Sequence, residues 1–327
     1  MQLMRLEIRN YKSLREVTIE PGAVSVFVGP NAAGKTNLVE AIDFLGDVYR
    51  WGLEPAVSHK GGYENICYRH SRRSKAAIQL RAVIKGKASD LGQWKPKGTA
   101  AGAGVILDHS FEFRTSSRGI GAPFLVTREH FVVLETSDQG GDRKVIEINR
   151  APDDLSVWID DQHDLIFKPV SNTTIKDVLD AAFPSELLFL RSALALLYPG
   201  IGRFLYYVAS LRVYQLSPRS ERQPGVPTPN PDLDRFGANL AAVIAYLQKD
   251  HPQQYDLLID CVKRVMPSLE RIDTDFTHTK TLAIFLKEKG FPRPWAADDI
   301  SDGYDPNDRP TYCDLRSSLR SRHHRGT

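Results

Sequence analysis

The chain reads as an α/β protein built around a phosphate-binding loop, and three observations predict it. Residues 29–36, Gly-Pro-Asn-Ala-Ala-Gly-Lys-Thr, fit the Walker A pattern G-x-x-x-x-G-K-[ST] at every fixed position. An apolar run from Val24 to Val28 precedes the loop, and Leu38, Val39, Ala41, Ile42 and Leu45 follow it at helical spacing. Between residues 63 and 149 the pattern changes to short alternating runs split by Gly-, Lys- and Asp-rich turns, the mark of antiparallel strands.

Taken in order, residues 3–9 predict an edge strand, which Val17, Ile19 and a buried strand over 24–28 continue as a sheet. Residues 36–51 predict the helix after the loop. Ala77–Ile84, Ser110–Phe113, Phe131–Leu134 and Val145–Ile148 predict strands of an antiparallel lobe. The polar, Gly-rich stretch 86–104 reads as a mobile loop. Ile175, Val178, Leu179, Ala182, Leu187, Leu188 and Leu190 place helix within 174–198, and 205–213 reads as a buried strand or a helix end. The Pro-rich segment 217–231 is a linker or surface loop. Leu240, Val243, Ile244 and Leu247 mark one amphipathic helix, and Tyr255, Leu258, Ile259, Val262 and Val265 another. Residues 282–286 read as a strand. No heptad pattern persists, so no long coiled-coil arm is expected.

Composition narrows the function classes. No run of 18 apolar residues exists, so no membrane-spanning helix is expected. The N-terminus opens directly into strand-like alternation without signal-peptide architecture. Cys67, Cys261 and Cys313 are scattered and read as reduced thiols of a cytoplasmic protein. A net charge of +3 is too small to imply nucleic acid by itself. His323-His324 is the one candidate chelating pair, against a solvated tail. Arg72-Arg73-Ser74-Lys75 reads as a solvated turn, with phosphate contact as the alternative.

The loop predicts its own chemistry. Gly29 and Gly34 let the backbone curl so that N–H groups point inward at phosphate oxygens. The helix dipole adds to this. Lys35 is placed to reach the β- and γ-phosphates, and the Thr36 hydroxyl to hold Mg²⁺. Gly29, Pro30, Asn31, Ala32, Ala33, Gly34, Lys35, Thr36 and Asn37 therefore form the candidate nucleotide site, with ATP and Mg²⁺ as ligands. The competing account is a Gly-rich turn before a helix.

Leu6-Glu7-Ile8-Arg9-Asn10-Tyr11-Lys12-Ser13-Leu14, followed by residues 28–42, Val-Gly-Pro-Asn-Ala-Ala-Gly-Lys-Thr-Asn-Leu-Val-Glu-Ala-Ile, resembles the RecF/SMC-like branch of ABC-type, AAA-family ATPases. Within that branch the chain is similar to ATPases of bacterial defence and repair operons, with short helical insertions in place of long coiled coils. Val213-Tyr214, Pro218 and Asp234-Arg235-Phe236-Gly237-Ala238-Asn239-Leu240-Ala241 resemble the family's inter-motif region. Ile300-Ser301-Asp302-Gly303 resembles the start of the ABC signature motif, with an ordinary Asp-Gly turn as the alternative. The resemblance implies an ABC-type head with a mixed sheet, an antiparallel β lobe and a helical insertion. It implies ATP hydrolysis coupled to dimerisation and nucleic-acid processing or defence, with a nuclease or other effector. Ser301, Asp302 and Gly303 would then meet a partner's nucleotide in trans, and Lys12 would add positive charge near the phosphates or base. A solvated Lys12 is the alternative.

Hydrolysis in this family also needs a Walker B aspartate and a following glutamate. No apolar strand ending in Asp-Glu follows Gly303. Leu257-Leu258-Ile259-Asp260 continues into Cys261 and has helical period, and the apolar run before Asp160 is short. The catalytic residues are therefore unassigned. The expected organisation is an incomplete head over 1–303, made of the strand–loop–helix 1–50, the β lobe 63–150 and a helical region with return to the sheet over 174–290. Residues 304–327 form an unstructured tail. A one-base shift at codon 304 permits an amphipathic helix, so a frameshift is expected, against a natural short variant or a split protein. The rival function is a nucleotide- or partner-binding module without hydrolysis; a P-loop kinase fits less well.

Overall fold

A ten-residue strand, β1 (Gln2–Tyr11), turns tightly into β2 (Leu14–Ile19), and β1 alternates buried Leu6 and Ile8 with outward Arg5, Glu7 and Arg9. The computed structural model describes residues 1–71, 74–87, 104–115, 124–136, 141–151, 154–160 and 199–299. The chain divides into two compact units, Met1–Val213 and Tyr214–Thr327.

In the first unit the β1–β2 hairpin is one edge of a seven-stranded sheet. It is joined by β5 (Ile78–Lys87), β6 (Gly104–Thr115), β7 (Phe124–Thr136), β8 (Asp142–Ala151) and β9 (Asp154–Ile159). The order is β2-β1-β5-β6-β7-β8-β9, and every neighbouring pair is antiparallel. β3 (Arg69–Ser71) and β4 (Ser74–Lys75) form a small separate hairpin. The expected strands of the β lobe are thus present and longer than their apolar runs. Alternation along them gives each strand one buried face, as in β5, where Ile78, Leu80, Ala82 and Ile84 are buried.

Over that face lie α1 (Lys35–Trp51), α2 (Leu53–His59), α3 (Tyr63–Ile66) and α4 (Pro199–Ala209). α1 buries Leu38, Ala41, Phe44, Leu45 and Val48, spaced to make one stripe. Phe44 packs its ring 5.6 Å from Tyr11 and 6.0 Å from Phe113. Its polar stripe is pinned along its length. Lys60 bonds Asp43 at 2.6 Å and lies 3.4 Å from Asp47, while Arg50 bonds Asp47 at 2.9 Å and the carbonyls of Ala209 and Leu211. Gly46 lets the end of α4 come close: a Cβ there would lie 3.0 Å from the Leu211 carbonyl oxygen.

The predicted strand over 24–28 is a correction. Residues 25–30 have no regular structure, and Val24, Val26 and Val28 are 84%, 79% and 86% exposed. A strand buried on both faces needs a neighbour on each edge to supply its backbone hydrogen bonds. Among the described residues no strand pairs with this run. The segment 205–213 resolves in favour of a helix end, since α4 runs to Ala209.

The second unit packs α6 (Leu240–Asp250) and α7 (Pro252–Val265), preceded by the short α5 (Pro218–Glu221), with β10 (Leu269–Phe276), β11 (Leu282–Glu288) and β12 (Trp295–Ala296). Its core joins Ala241, Ala242, Ile244, Ile259, Leu269, Ile272, Leu282 and Ile284. Leu257–Asp260 lies within α7, as its helical period requires. The Pro-rich stretch is partly structured, because Gly225 exchanges two backbone hydrogen bonds with Leu282, at 2.9 and 2.8 Å. The predicted helix within 174–198, the 86–104 loop beyond Lys87 and the segment 300–327 lie outside the described residues.

Candidate nucleotide-binding site

The loop between residue 28 and α1 curls, with positive φ at Gly34 as expected but not at Gly29. Ala32 and Gly34 both take positive φ, 64° and 90°, on either side of Ala33. Alternation of this kind turns successive N–H groups to one side, which makes an anion-binding concavity. Ala33 N–H closes a turn onto the Pro30 carbonyl at 3.3 Å, and Leu38 N–H makes a helical bond to the Gly34 carbonyl at 2.9 Å. The N–H groups of Lys35, Thr36 and Asn37 precede that bond and have no helical acceptor. No side chain caps the helix N-terminus.

Lys35 curls back over the loop. Its Nζ donates to the carbonyl oxygens of Gly29 and Pro30, each at 2.7 Å. The ammonium thus sits inside the loop's own ring. The Gly29–Ala33 backbone and Thr36 are exposed. Thr36 opens the helix beside Lys35, and a free hydroxyl there suits a hard cation such as Mg²⁺. Among the described residues no cluster of three or more His, Cys, Asp or Glu offers an all-protein metal site.

The turn between β1 and β2 is bound to the first turns of α1. Ser13 Oγ accepts a hydrogen bond from Asn37 Nδ2 at 2.6 Å. Lys12 forms an ion pair with Glu40. Lys12, singled out by the resemblance, is therefore engaged by a carboxylate of α1. The signal for both ties was visible as Lys-Ser in the lead-in and Asn-Leu-Val-Glu after the loop, but spacing alone does not say which residues meet. Ser301, Asp302 and Gly303 lie outside the described residues.

The stretch 234–241 is given a local role by the structure. Asp234 accepts from the N–H groups of Phe236, Ala238 and Asn239 at 2.8, 3.1 and 3.1 Å, and Asn239 Oδ1 accepts from Asp234 N–H at 2.9 Å. Gly237 has φ 78°, and a Cβ there would lie 2.6 Å from Glu221 Cγ. These residues shape the entry to α6.

A second polar assembly lies in the core of the first unit. Tyr49 of α1 bonds His109 Nδ1, His109 Nε2 lies 3.1 Å from Glu129 Oε1, and Arg150 lies 3.7 Å from Glu129 Oε2. Burial, then the charges of Glu129 and Asp108, pushes the Tyr49 hydroxyl well above the ordinary tyrosine range. The Tyr49 phenol therefore stays neutral as the hydrogen-bond partner of Nδ1, while Nε2 faces Glu129.

Residues 1–80 match the family model for an AAA ATPase domain. The DNA replication and repair protein RecF of Beutenbergia cavernae is 41% identical over 102 residues, which are 27% of this chain and 23% of that protein. The OLD nuclease of Thermus scotoductus is 44% identical over 48 residues, 14% of this chain and 9% of that one. The chain thus spans a quarter or less of the length of these relatives. A solved SmcHead bound to the C-winged helix domain of ScpA aligns over 92% of this chain and 72% of that one, at 12% identity and a TM-score of 0.34. A score that low carries no argument about the fold.

Proposed function

We propose that this chain, whose residues 1–80 are RecF/SMC-like AAA ATPase sequence, binds ATP at residues 29–36 as the nucleotide-binding part of an ABC-type head. The observation that carries the reading is the position of Lys35. Its ammonium is gathered into the loop by two backbone carbonyls rather than spent on a surface carboxylate. Polyphosphate oxygens are stronger acceptors for that ammonium than carbonyls. The N–H groups at the start of α1 add neutral donors and the helix dipole. Thr36 would take Mg²⁺, which neutralises charge on the β- and γ-phosphates when bound.

The resemblance extends the proposal. In a complete head, Ser301 and the Gly303 N–H would donate to a nucleotide held by a second copy, so ATP would bring two heads together as a homodimer. Coupling of that dimer to nucleic-acid processing or defence, with a nuclease or other effector, completes the reading. The test is calorimetry with ATP and Mg²⁺ on the full chain. Micromolar binding is expected in the wild type, and Lys35→Ala should lose at least about a hundredfold, near 2.7 kcal/mol. Equal affinity in the two proteins would remove the loop from the account. In a complete head, Ser301→Arg should block ATP-driven dimerisation by light scattering and leave monomeric binding intact.

A further inference from the structure

Two non-glycine residues of one short turn, Asn10 and Lys12, are held in the left-handed region, at φ 59° and 49°. Positive φ is uncommon outside glycine, and two such residues in one short turn persist where surrounding bonds fix the conformation. Here they do. Asn10 Nδ2 donates to the Ala77 carbonyl at 2.8 Å, Tyr68 N–H to the Asn10 carbonyl at 2.8 Å and Lys12 N–H to the Ile66 carbonyl at 2.7 Å. Tyr11 between them is fully buried against Phe44. The turn is thus fastened to the residue before β5, to the end of α3 and to the core.

Its two remaining side chains both reach α1. Ser13 accepts from Asn37, and Lys12 pairs with Glu40, three residues further along the same helix face. Ser13 also closes on the loop itself. A Cβ at Gly34 would lie 3.4 Å from Ser13 Oγ and 3.4 Å from Leu14 Cδ2. Gly34 is the left-handed residue on which the loop turns into the helix. So the strained turn touches the loop at its closing residue and ties the next two helical turns.

We propose that the Asn10–Ser13 turn is a positioning element for the phosphate loop, acting through the Ser13–Asn37 hydrogen bond and the Lys12–Glu40 ion pair to hold the loop ready before nucleotide arrives. The proposal rests on the reading of residues 29–36 as a nucleotide site. A loop held ready pays less ordering entropy on binding, so loosening it weakens affinity without removing any group that touches the ligand. Ser13 and Glu40 are positioning residues in this sense.

The test separates the two claims. Hydrogen exchange is followed on the full chain without nucleotide at the bonded amides of Ala33 and Leu38. ATP affinity is measured in parallel by calorimetry, and global stability by urea. Ser13→Ala is expected to speed exchange at Leu38 about fivefold, the loss of one ordinary hydrogen bond. It should weaken ATP binding by at most the same factor and lower the urea midpoint by no more than the loss of that one bond. Ser13→Thr, which keeps the hydroxyl, should restore both. Glu40→Gln should act in the same direction, and Ser13→Ala/Glu40→Gln should exceed either alone. Lys35→Ala should abolish binding and leave exchange at Leu38 as in the wild type. Unchanged exchange in Ser13→Ala and Glu40→Gln overturns the positioning role. Faster exchange in a chain whose wild type binds no nucleotide supports the positioning role and removes the nucleotide reading instead.

Discussion

His109 Nε2 lies 3.1 Å from Glu129 Oε1, and the two side chains are 0% and 1% exposed. A histidine and a carboxylate this far from water are stable only as a fully bonded set, here completed by Tyr49 on one side and Arg150 on the other. His109→Ala removes a buried partner of Glu129 and the ring partner of Tyr49. It should lower unfolding free energy by roughly 3–5 kcal/mol in urea. Tyr49→Phe should cost less, about 1–3 kcal/mol, because only the one bond to the ring nitrogen is lost.

The same tyrosine sets an alkaline limit. Burial raises the hydroxyls of both Tyr49 and Tyr63 above their unfolded value. The neutral phenol is then favoured by the folded state, so this stability is fully present below the unfolded pKa of about 10. It is lost as pH rises through and beyond that value, where the unfolded chain has given up protons that the folded one keeps. Urea midpoints should therefore fall above about pH 10. The fall should be shallower in Tyr49→Phe, and an identical slope in both proteins would contradict the assignment.

The exposed run 24–28 gives a test by contrast. Val26→Glu should change the stability of this chain by no more than about 0.5 kcal/mol, since the side chain stands 79% exposed. Val48→Glu, at a fully buried position of α1, should abolish folding or cost several kcal/mol. A large loss for Val26→Glu in urea would place that run inside a core.

Gly46 is packed rather than conformationally special. Gly46→Ala puts a methyl 3.0 Å from the Leu211 carbonyl oxygen, a backbone atom that must shift. The gain of up to about 1 kcal/mol that alanine brings to a helix interior should be lost to this clash, for a net cost of about 1–2 kcal/mol in thermal or urea unfolding.

The β lobe was legible because each of its strands has one buried face, so alternation wrote itself into Ile78–Ile84 and Phe111–Phe113. α1 was legible for the same reason at period 3.6, and the loop by its fixed glycines and lysine. The 24–28 run misled because its composition describes an environment of two neighbouring strands that the described residues do not provide. Sequence order also hid the partners of Lys12 and Ser13. Those residues and Glu40 and Asn37 are 28 and 24 positions apart, and only the pairing of β1 with β2 and the packing of α1 bring them together. The buried Tyr49–His109–Glu129 set draws on α1, β6 and β7, and no local pattern marks it.

The line of polar ties along α1 has a mechanical consequence. Its 17 residues make a rod of about 25 Å with the phosphate loop at one end. At the far end Arg50 grips the last carbonyl of α4 and that of Leu211 just beyond it, and midway Lys60 clasps Asp43 and Asp47. Such a rod cannot bend or swivel by itself at small cost. A displacement at the loop end of α1 would therefore be resisted along the whole helix rather than absorbed by bending at one turn.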